Sequence, residues 1–554
     1  MIKRILLVGN DISRYSVVLS ENANQNERFA AEELVSWVEK ITDNKLSIVN
    51  DSAHYEYEIV IGSTNRDNDE TEKELSVLKN EGVAVFFTSA QRLYLIGEGD
   101  FGVVNAVYRL LEVFGCRFYD EETEEIIGRE CVELSLDFSI KYSPVLMYRK
   151  TDWKLSREMQ LKLSINGELT RRNSIIGFCH TLGALSETEP HTQPCLSDEA
   201  VYETVLRNVR KRIADNPGCR IISVTQNDNF NYCRCEKCTQ LAERENQSGV
   251  MLNFVNRLAK DIEEEYPDVY ILTFAYQYTR KPPVTITPRH NVIIWLCSIE
   301  CCFSHTLADK SCEQNRAFVE DTEAWRRIAD NIYIWDYTTN YAHYNSPFPN
   351  FRTLLDNAKF FADHNAIGIY EEGGYQQAEN GEFRSLRAYL IGKILWNPYM
   401  THEEYNNHMN EFLACYYGKG WRYVREYIDK CCDLAERIHL GIYIRPENIF
   451  LDSNGKPDLA MCEALDKLWQ TAEAEAETEK QKSACRRSAI QSKYMLVRLH
   501  TILDGKPDAS ENSALIDAMK DAGIIYQCEW GDAGRVDRLD SSMSILDWRQ
   551  GCWL

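Results

Sequence analysis

The chain has 554 residues, room for two to four domains at roughly 150 residues each, so a small stapled scaffold is excluded. Hydrophobic residues make up 44% and charged residues 27%, the balance of a folded, soluble protein. The net charge of −23 repels phosphate backbones and anionic lipid, which argues against nucleic acid or a membrane surface as partner. No stretch reaches the roughly 18 apolar residues of a membrane span.

The first ten residues lack the apolar region and cleavage site of an export signal and read as a strand, Ile5–Val8. The 19 cysteines are odd in number and fall inside apparent strands and helices, which fits reduced thiols better than a disulfide framework. A cytoplasmic location is therefore expected, although removal of a signal peptide would leave the same sequence.

Residues 1–140 alternate strand and helix patterns: Ile5–Val8, a helix from Glu27 to Ile41, Glu58–Gly62, a hairpin of Ala84–Phe87 with Leu93–Ile96, a helix from Val103 to Phe114, and Cys116–Tyr119. Gly97-Glu-Gly-Asp-Phe-Gly102 matches the dinucleotide fingerprint G-x-G-x-x-G. It follows a hairpin strand, however, and places Glu98 and Asp100 where a pyrophosphate would approach backbone amides, so its glycines are expected to make a turn and a close helix–strand contact instead.

Over residues 141–400 buried strands alternate with helices, each strand ending in polar or aromatic residues. The candidates are Leu146–Arg149, Leu163–Gly167, a weak one near Gly177–His180, Ile221–Thr225, Tyr270–Phe274, Val292–Leu296, Ile332–Trp335 and Ile367–Tyr370. Eight such units in about 250 residues predict a (β/α)8 barrel, whose active site lies at the strands' C-terminal ends. Residues 401–554 read as a helical C-terminal region with helices over 403–417, 423–438, 459–479, 485–503 and 513–522; its last fifty residues are expected to fold back on the barrel. The fold class is thus α/β: an N-terminal α/β domain, a central barrel and a helical C-terminal region.

The strand ends gather carboxylates, amides and aromatic rings, among them His180, Asn227, Asp228, Tyr276, Trp335, Asp336, Tyr337, Glu371 and Glu372. Such a site suits carbohydrate, because glycosidic cleavage needs an acid and a charge stabiliser while sugar C–H faces pack on rings. Asp228 and Glu372 are the catalytic candidates, one closing the fourth strand and the other the eighth. Strand alternation points Glu371 and Glu372 to opposite sides, so one of them is structural. His180, Asn227, Tyr276, Trp335, Asp336, Tyr337 and Glu371 are candidate substrate contacts. Cys233, Cys235 and Cys238 form C-x-C-x-x-C, dense enough for a structural zinc with a fourth ligand from Cys297, Cys301, Cys302 or His305; reduced thiols are the alternative. No cofactor is expected for catalysis.

Ordered matches along the chain carry a resemblance. Residues 30–34 (AAEEL), 60–63 (VIGS) and 102–112 (GVVNAVYRLLE) resemble the N-terminal domain preceding the barrels of α-glucuronidases and hexosaminidases. Residues 223–228 (SVTQND), 233–238 (CRCEKC), 248–256, 275–276, 282–283, 334–337 (IWDY), 347–350 (PFPN), 370–373 (YEEG) and 386–390 (LRAYL) resemble glycoside hydrolase family 163, formerly domain of unknown function 4838. The resemblance implies an endo-β-N-acetylglucosaminidase, retaining configuration through attack by the substrate's own 2-acetamido oxygen. That mechanism needs an acid and a group that orients the acetamide, and by their strand-end positions Glu372 is expected as the acid and Asp228 as the acetamide partner, or the reverse, with a glycan as substrate. Characterised members of that family are mostly exported by glycan-foraging bacteria; without an export signal an imported oligosaccharide is expected. An α-glucuronidase-like exo-hexuronidase and a non-catalytic glycan-binding barrel are the alternatives, the first calling for basic residues on the barrel face, where only Arg149 stands out.

Overall fold

The computed structural model describes residues 4–547 except 129, 190, 191 and 375–380. The chain divides into two compact units: residues 1–147 with 155–165, and residues 148–154 with 166–554. Among the described residues no helix is long and apolar enough to cross a membrane.

The first unit is built on a six-stranded sheet in the order 139–142, 83–89, 92–97, 58–61, 16–19, 47–50, with a smaller sheet pairing Arg4–Leu7 to Cys131–Leu134 and Asn10–Asp11. The helix Gln25–Thr42 starts at a capping box, Asn24 accepting from the amides of Asn26 and Glu27 while Glu27 accepts from that of Asn24, and it buries Leu34, Val38 and Ile41. The helix Gly102–Val113 follows the 92–97 strand and is buried along most of its length. The G-x-G-x-x-G run is explained by this turn. A Cβ on Gly97 would lie 2.0 Å from the carbonyl carbon of Gly102, and Gly99 has φ of 73°. The glycines let strand and helix backbones touch.

In the second unit seven parallel strands run in the order Tyr148–Thr151, Ala366–Glu372, Ile332–Tyr337, Val292–Cys297, Tyr270–Ala275, Ile221–Ser223, Ile175–Ile176. Seven of the eight expected segments carry or adjoin these strands. The eighth, Leu163–Gly167, forms no ladder. Its apolar residues instead close the helix Arg157–Lys162: Ser164 is left-handed at φ 56°, and the amides of Ser164 and Ile165 bond back to the carbonyls of Leu161 and Gln160 at 3.0 and 2.8 Å. This is a Schellman closure, and hydrophobic alternation over five residues cannot distinguish it from a strand. The amides of Asn166 and Gly167 still reach the carbonyl of Arg149, at 3.0 and 2.9 Å.

The 332–337 and 366–372 strands carry a bulge. Ile332 pairs with Ala366, but Tyr333 pairs with Gly368, so Ile367 is the extra residue and Trp335, Asp336 and Tyr337 come to face Tyr370, Glu371 and Glu372. A Cβ on Gly368 would lie 2.8 Å from the side chains of Tyr148 and Tyr333, which stack on each other there. The interior of the sheet is aromatic, with Phe178, Phe274, Trp295, Trp335 and Tyr370 in mutual ring contact.

The C-terminal helices His402–Tyr417, Trp421–Ala435, Leu459–Glu475, Glu479–Ser488, Ile490–Asp504 and Ala509–Asp521 belong to this same second unit. The region expected as one helix over 485–503 is two, joined at Ala489.

Replacing Gly97 with Ala should destabilise the first unit by about 1–3 kcal/mol, the usual range for overpacking. Gly441, where an added Cβ meets nothing within 4 Å, is the control, and its Ala variant should stay within about 0.5 kcal/mol of the parent. Denaturant titration of both variants checks this; equal stability would show that the strand–helix contact is dispensable.

Candidate functional site

A pocket opens where the strands end. His180, Asp228, Phe274, Tyr276, Cys297, Trp335, Tyr337 and Glu372 line it from the seven-stranded half-barrel and the loops after its strands, and Ile299, Tyr341, Ile442, Tyr443 and Glu529 complete it. Six of the nine sequence-assigned catalytic and substrate residues therefore meet in one cavity.

Alternation decides the membership of the last two strands. Trp335, Tyr337 and Glu372 share the inward face, and the Trp335 indole Nε1 donates to Glu372 Oε2 at 2.7 Å. Backbone bonds fix the position of Glu372: its carbonyl accepts from the Thr338 amide at 2.9 Å, the Thr338 hydroxyl at 2.7 Å and the Tyr341 hydroxyl at 3.0 Å. Burial, with Asp152 nearby, holds the Glu372 carboxyl well above the usual carboxylate range, against the indole bond, which favours the ionised form. Asp152 is itself raised by burial despite Lys150 at 3.7 Å, and it accepts from the Tyr370 hydroxyl.

Asp336 and Glu371 project from the opposite face and do not line the pocket. Burial pushes Asp336 up to about 6 while the Ser298 hydroxyl donates to it, and Glu371, 1% exposed, is held well above its ordinary range by burial and by Asp336. The two stand opposite each other on the buried face of the paired strands.

Asp228 lies five residues beyond the short 221–223 strand and is exposed. It accepts from the Tyr276 hydroxyl at 3.0 Å, and that oxygen accepts in turn from the Gln277 amide at 2.9 Å. Burial and the adjacent Asp228 keep the Tyr276 phenol protonated, well above its ordinary range. Asn227 turns away from the pocket: its Oδ1 accepts from the Gly183 amide at 3.1 Å and its Nδ2 donates to the Thr192 carbonyl at 2.6 Å, so it braces the neighbouring loop. His180 has φ of 50°, and so does Phe178 nearly, at 54°, a backbone region that non-glycine residues rarely occupy. The His180 Nδ1 lies 2.8 Å from the carbonyl of Gln226.

A third carboxyl, Glu529, comes from the C-terminal region. Burial, with Asp228 adding to it, pushes Glu529 up to about 7, while the Tyr443 phenol bonds to it and opposes the rise. Neither residue has a sequence signal, because the segments bearing them show no strand-end pattern; Tyr341 does, standing four residues past Tyr337.

Cys233, Cys235 and Cys238 are joined by Cys195, and the four sulfurs lie within 4.8 Å of one another. Cys195 Sγ stands 3.7 Å from Cys235 and 3.9 Å from Cys238. The fourth donor thus comes from the loop before the helix Glu199–Asp215, and not from Cys297, Cys301, Cys302 or His305. The reason is topological: the 221–223 strand that precedes Asp228 is next to the 175–176 strand, so the loops after these two strands meet. Four thiols at this spacing fit tetrahedral zinc.

The chain is similar to several solved structures of low identity. A family 115 4-O-methyl-α-glucuronidase with specificity for decorated arabinogalactans is 11% identical, with 94% of this chain and 76% of that chain covered and a TM-score of 0.58. A family 138 glycoside hydrolase targeting pectin rhamnogalacturonan II is 9% identical over 96% and 97% of the two chains at a TM-score of 0.41. A family 89 glycoside hydrolase from Clostridium perfringens, in complex with 2-acetamido-1,2-dideoxynojirimycin, is 9% identical over 90% and 66% at 0.44. No curated protein matches the sequence. The profile described as Domain of unknown function (DUF4838) matches residues 118–429, more than half of the chain and all seven parallel strands, and the chain belongs to that family.

Proposed function

We infer that the protein is a glycoside hydrolase, with Glu372 as the acid and Asp228 as the group that orients the reacting substrate. The observation that carries this is the pairing within one pocket of a half-buried carboxyl raised by desolvation and an exposed carboxyl bound by a phenol, walled by Trp335, Tyr337, Tyr341, Tyr443 and Phe274. Glycosidic cleavage needs two carboxyl groups whose surroundings drive them to different roles. The similarity of fold to the family 115 enzyme is consistent with this chemistry.

For the substrate, a sugar bearing a 2-acetamido group fits better than a uronic acid. Among the described residues lining the pocket none is Lys or Arg, so no cation faces a uronate carboxylate. Arg149 does not supply one: it is fully buried, with its guanidinium 5.5 Å from the centre of the Trp396 ring. The proposed reaction is cleavage of a β-N-acetylglucosaminide bond in an oligosaccharide, as the resemblance to family 163 implies. The Glu372 proton passes to the departing oxygen as the acetamide oxygen attacks the anomeric carbon, with Asp228 and Tyr276 holding the acetamide. Water then opens the cyclic intermediate with configuration retained. Trp335 orients Glu372 through its indole bond and presents a ring to the sugar. The four thiols Cys195, Cys233, Cys235 and Cys238 are proposed to hold a structural zinc that fixes the loop after Asp228.

Released-product analysis with N-glycans, chitooligosaccharides and aldouronic acids tests the substrate class; release from aldouronic acids alone would replace this reading with the hexuronidase. Glu372→Gln should lower turnover on a natural glycan about 10²- to 10⁴-fold, yet much less on a nitrophenyl glycoside, whose leaving group needs no proton. Asp228→Asn should slow both substrates. Reversal of that pattern would exchange the two roles, and near-normal rates in both variants would dismiss both residues.

The indole bond gives a pH test. A hydrogen bond to a charged group is worth about 1.5–3 kcal/mol, and 1.36 kcal/mol corresponds to one pKa unit. Because the Trp335 N–H favours ionised Glu372, Trp335→Phe should raise the carboxyl further, and the alkaline limb of the pH–rate profile should move about one to two units higher. An unmoved or lowered limb would show that Glu372 does not set it.

A further inference from the structure

A second group of metal-type donors lies in the same unit, apart from the Cys195–Cys238 cluster. Cys302 and Cys312, both buried, face His305 and His439, and one donor atom from each residue falls within 4.8 Å of the other three. Cys302 Sγ is 3.2 Å from His305 Nδ1, and Cys312 Sγ is 3.7 Å from His439 Nδ1. With Zn–S near 2.3 Å and Zn–N near 2.0–2.1 Å, tetrahedral donors stand roughly 3.3–3.8 Å apart, so both separations are close to those of bound ligands.

The surroundings orient these donors as metal ligands are oriented. His305 Nε2 lies 3.1 Å from the carbonyl of Glu436; with Nε2–H donating there, the neutral ring turns an unprotonated Nδ1 toward Cys302. Asn315 holds the loop from beneath, accepting from the Cys302 amide at 2.7 Å and donating to the carbonyls of Cys302 and His305 at 3.2 and 3.1 Å. Two thiolates and two imidazoles in tetrahedral array select zinc over harder cations.

We propose that Cys302, His305, Cys312 and His439 form a structural zinc centre that fastens the loop after the 292–297 strand to the segment after the helix Trp421–Ala435. Three of these ligands come from the loop and one from the segment, which also meet through the Phe303 amide to the Leu440 carbonyl at 2.8 Å, the Ser304 hydroxyl to the Ile438 carbonyl at 2.6 Å and the His305 contact with the Glu436 carbonyl. The loop contributes Ile299 to the pocket, and the segment contributes Ile442 and Tyr443, three and four residues past His439. The metal would thus hold the wall that carries the Tyr443 partner of Glu529. This role is independent of the bond the enzyme cleaves.

The test is the zinc content of the full chain, purified without chelator and measured by inductively coupled plasma mass spectrometry, beside the pair variants Cys302→Ser/Cys312→Ser and Cys233→Ser/Cys235→Ser. The first pair variant should carry one zinc fewer per chain than the parent and keep whatever the second loses. Unchanged zinc in the first variant overturns the proposal. Should that variant fail to fold, anomalous scattering at the zinc edge from crystals of the unaltered chain decides: a peak within about 2.3 Å of both Cys302 Sγ and Cys312 Sγ is expected. No peak there, or a Cys302–Cys312 disulfide, overturns it.

Discussion

The bulge at Ile367 fixes which acid the pocket receives. Before it Ile332 pairs with Ala366; continued without the extra residue, that register would bring Tyr337 opposite Glu371, and the inward face of the strand would end on the wrong carboxyl. Side chains alternate strictly along a strand, so a slip of one residue exchanges every inward group for its outward neighbour. With the bulge, Glu372 shares a face with Trp335 and Tyr337, and Gly368 leaves room for the stacked Tyr148 and Tyr333 beside the irregularity. The opposite face keeps Glu371 and Asp336, both raised by burial and neither lining the pocket.

Because of this register, two neighbouring residues of one strand, one buried and one half-buried at the pocket, meet different surroundings. Both Glu371 and Glu372 are raised by desolvation, which disfavours the charged form of any acid. Only Glu372 also meets a donor that favours its charged form, the Trp335 indole, together with an opening to substrate. A raised pKa by itself therefore does not separate the two carboxyls; the placed donor and the access to the pocket do.

Much of this was legible in the residues and some was not. Strand ends such as Ile332–Trp335 announce themselves by short apolar runs followed by polar and aromatic residues, and six assigned residues share the pocket for that reason. The misplacements have local physical causes. Asn227 precedes Asp228 and looks equivalent in sequence, but its amide is needed to brace the turn at Gly183 and Thr192. Leu163–Gly167 has a strand's composition and a helix terminus's hydrogen bonds. Asp336 is excluded by parity, visible only once the inward face is known. Tyr443 and Glu529 could not be found at all, since their approach to the barrel depends on how helices separated by up to a hundred residues pack.

That dependence shapes the site. The parallel sheet supplies Glu372 from a strand end, where a rigid ladder sets its position, whereas Asp228 stands on the loop after a short strand and Tyr443 and Glu529 arrive on connecting segments that a sheet does not hold. Glu529 feels the charge of Asp228, and Glu372 feels that of Glu529, so the protonation of the whole pocket responds to where those segments lie. A displaced Tyr443 would remove the phenol that favours ionised Glu529, and a more fully protonated Glu529 would in turn relieve the repulsion that helps to hold Glu372 protonated. The backbone bonds from Phe303 to Leu440 and from Tyr341 to Ile442, at 2.8 and 2.9 Å, resist that displacement. Precision in the acid is thus secured twice, by a bulge within the sheet and by the fastening of a distant segment across its mouth.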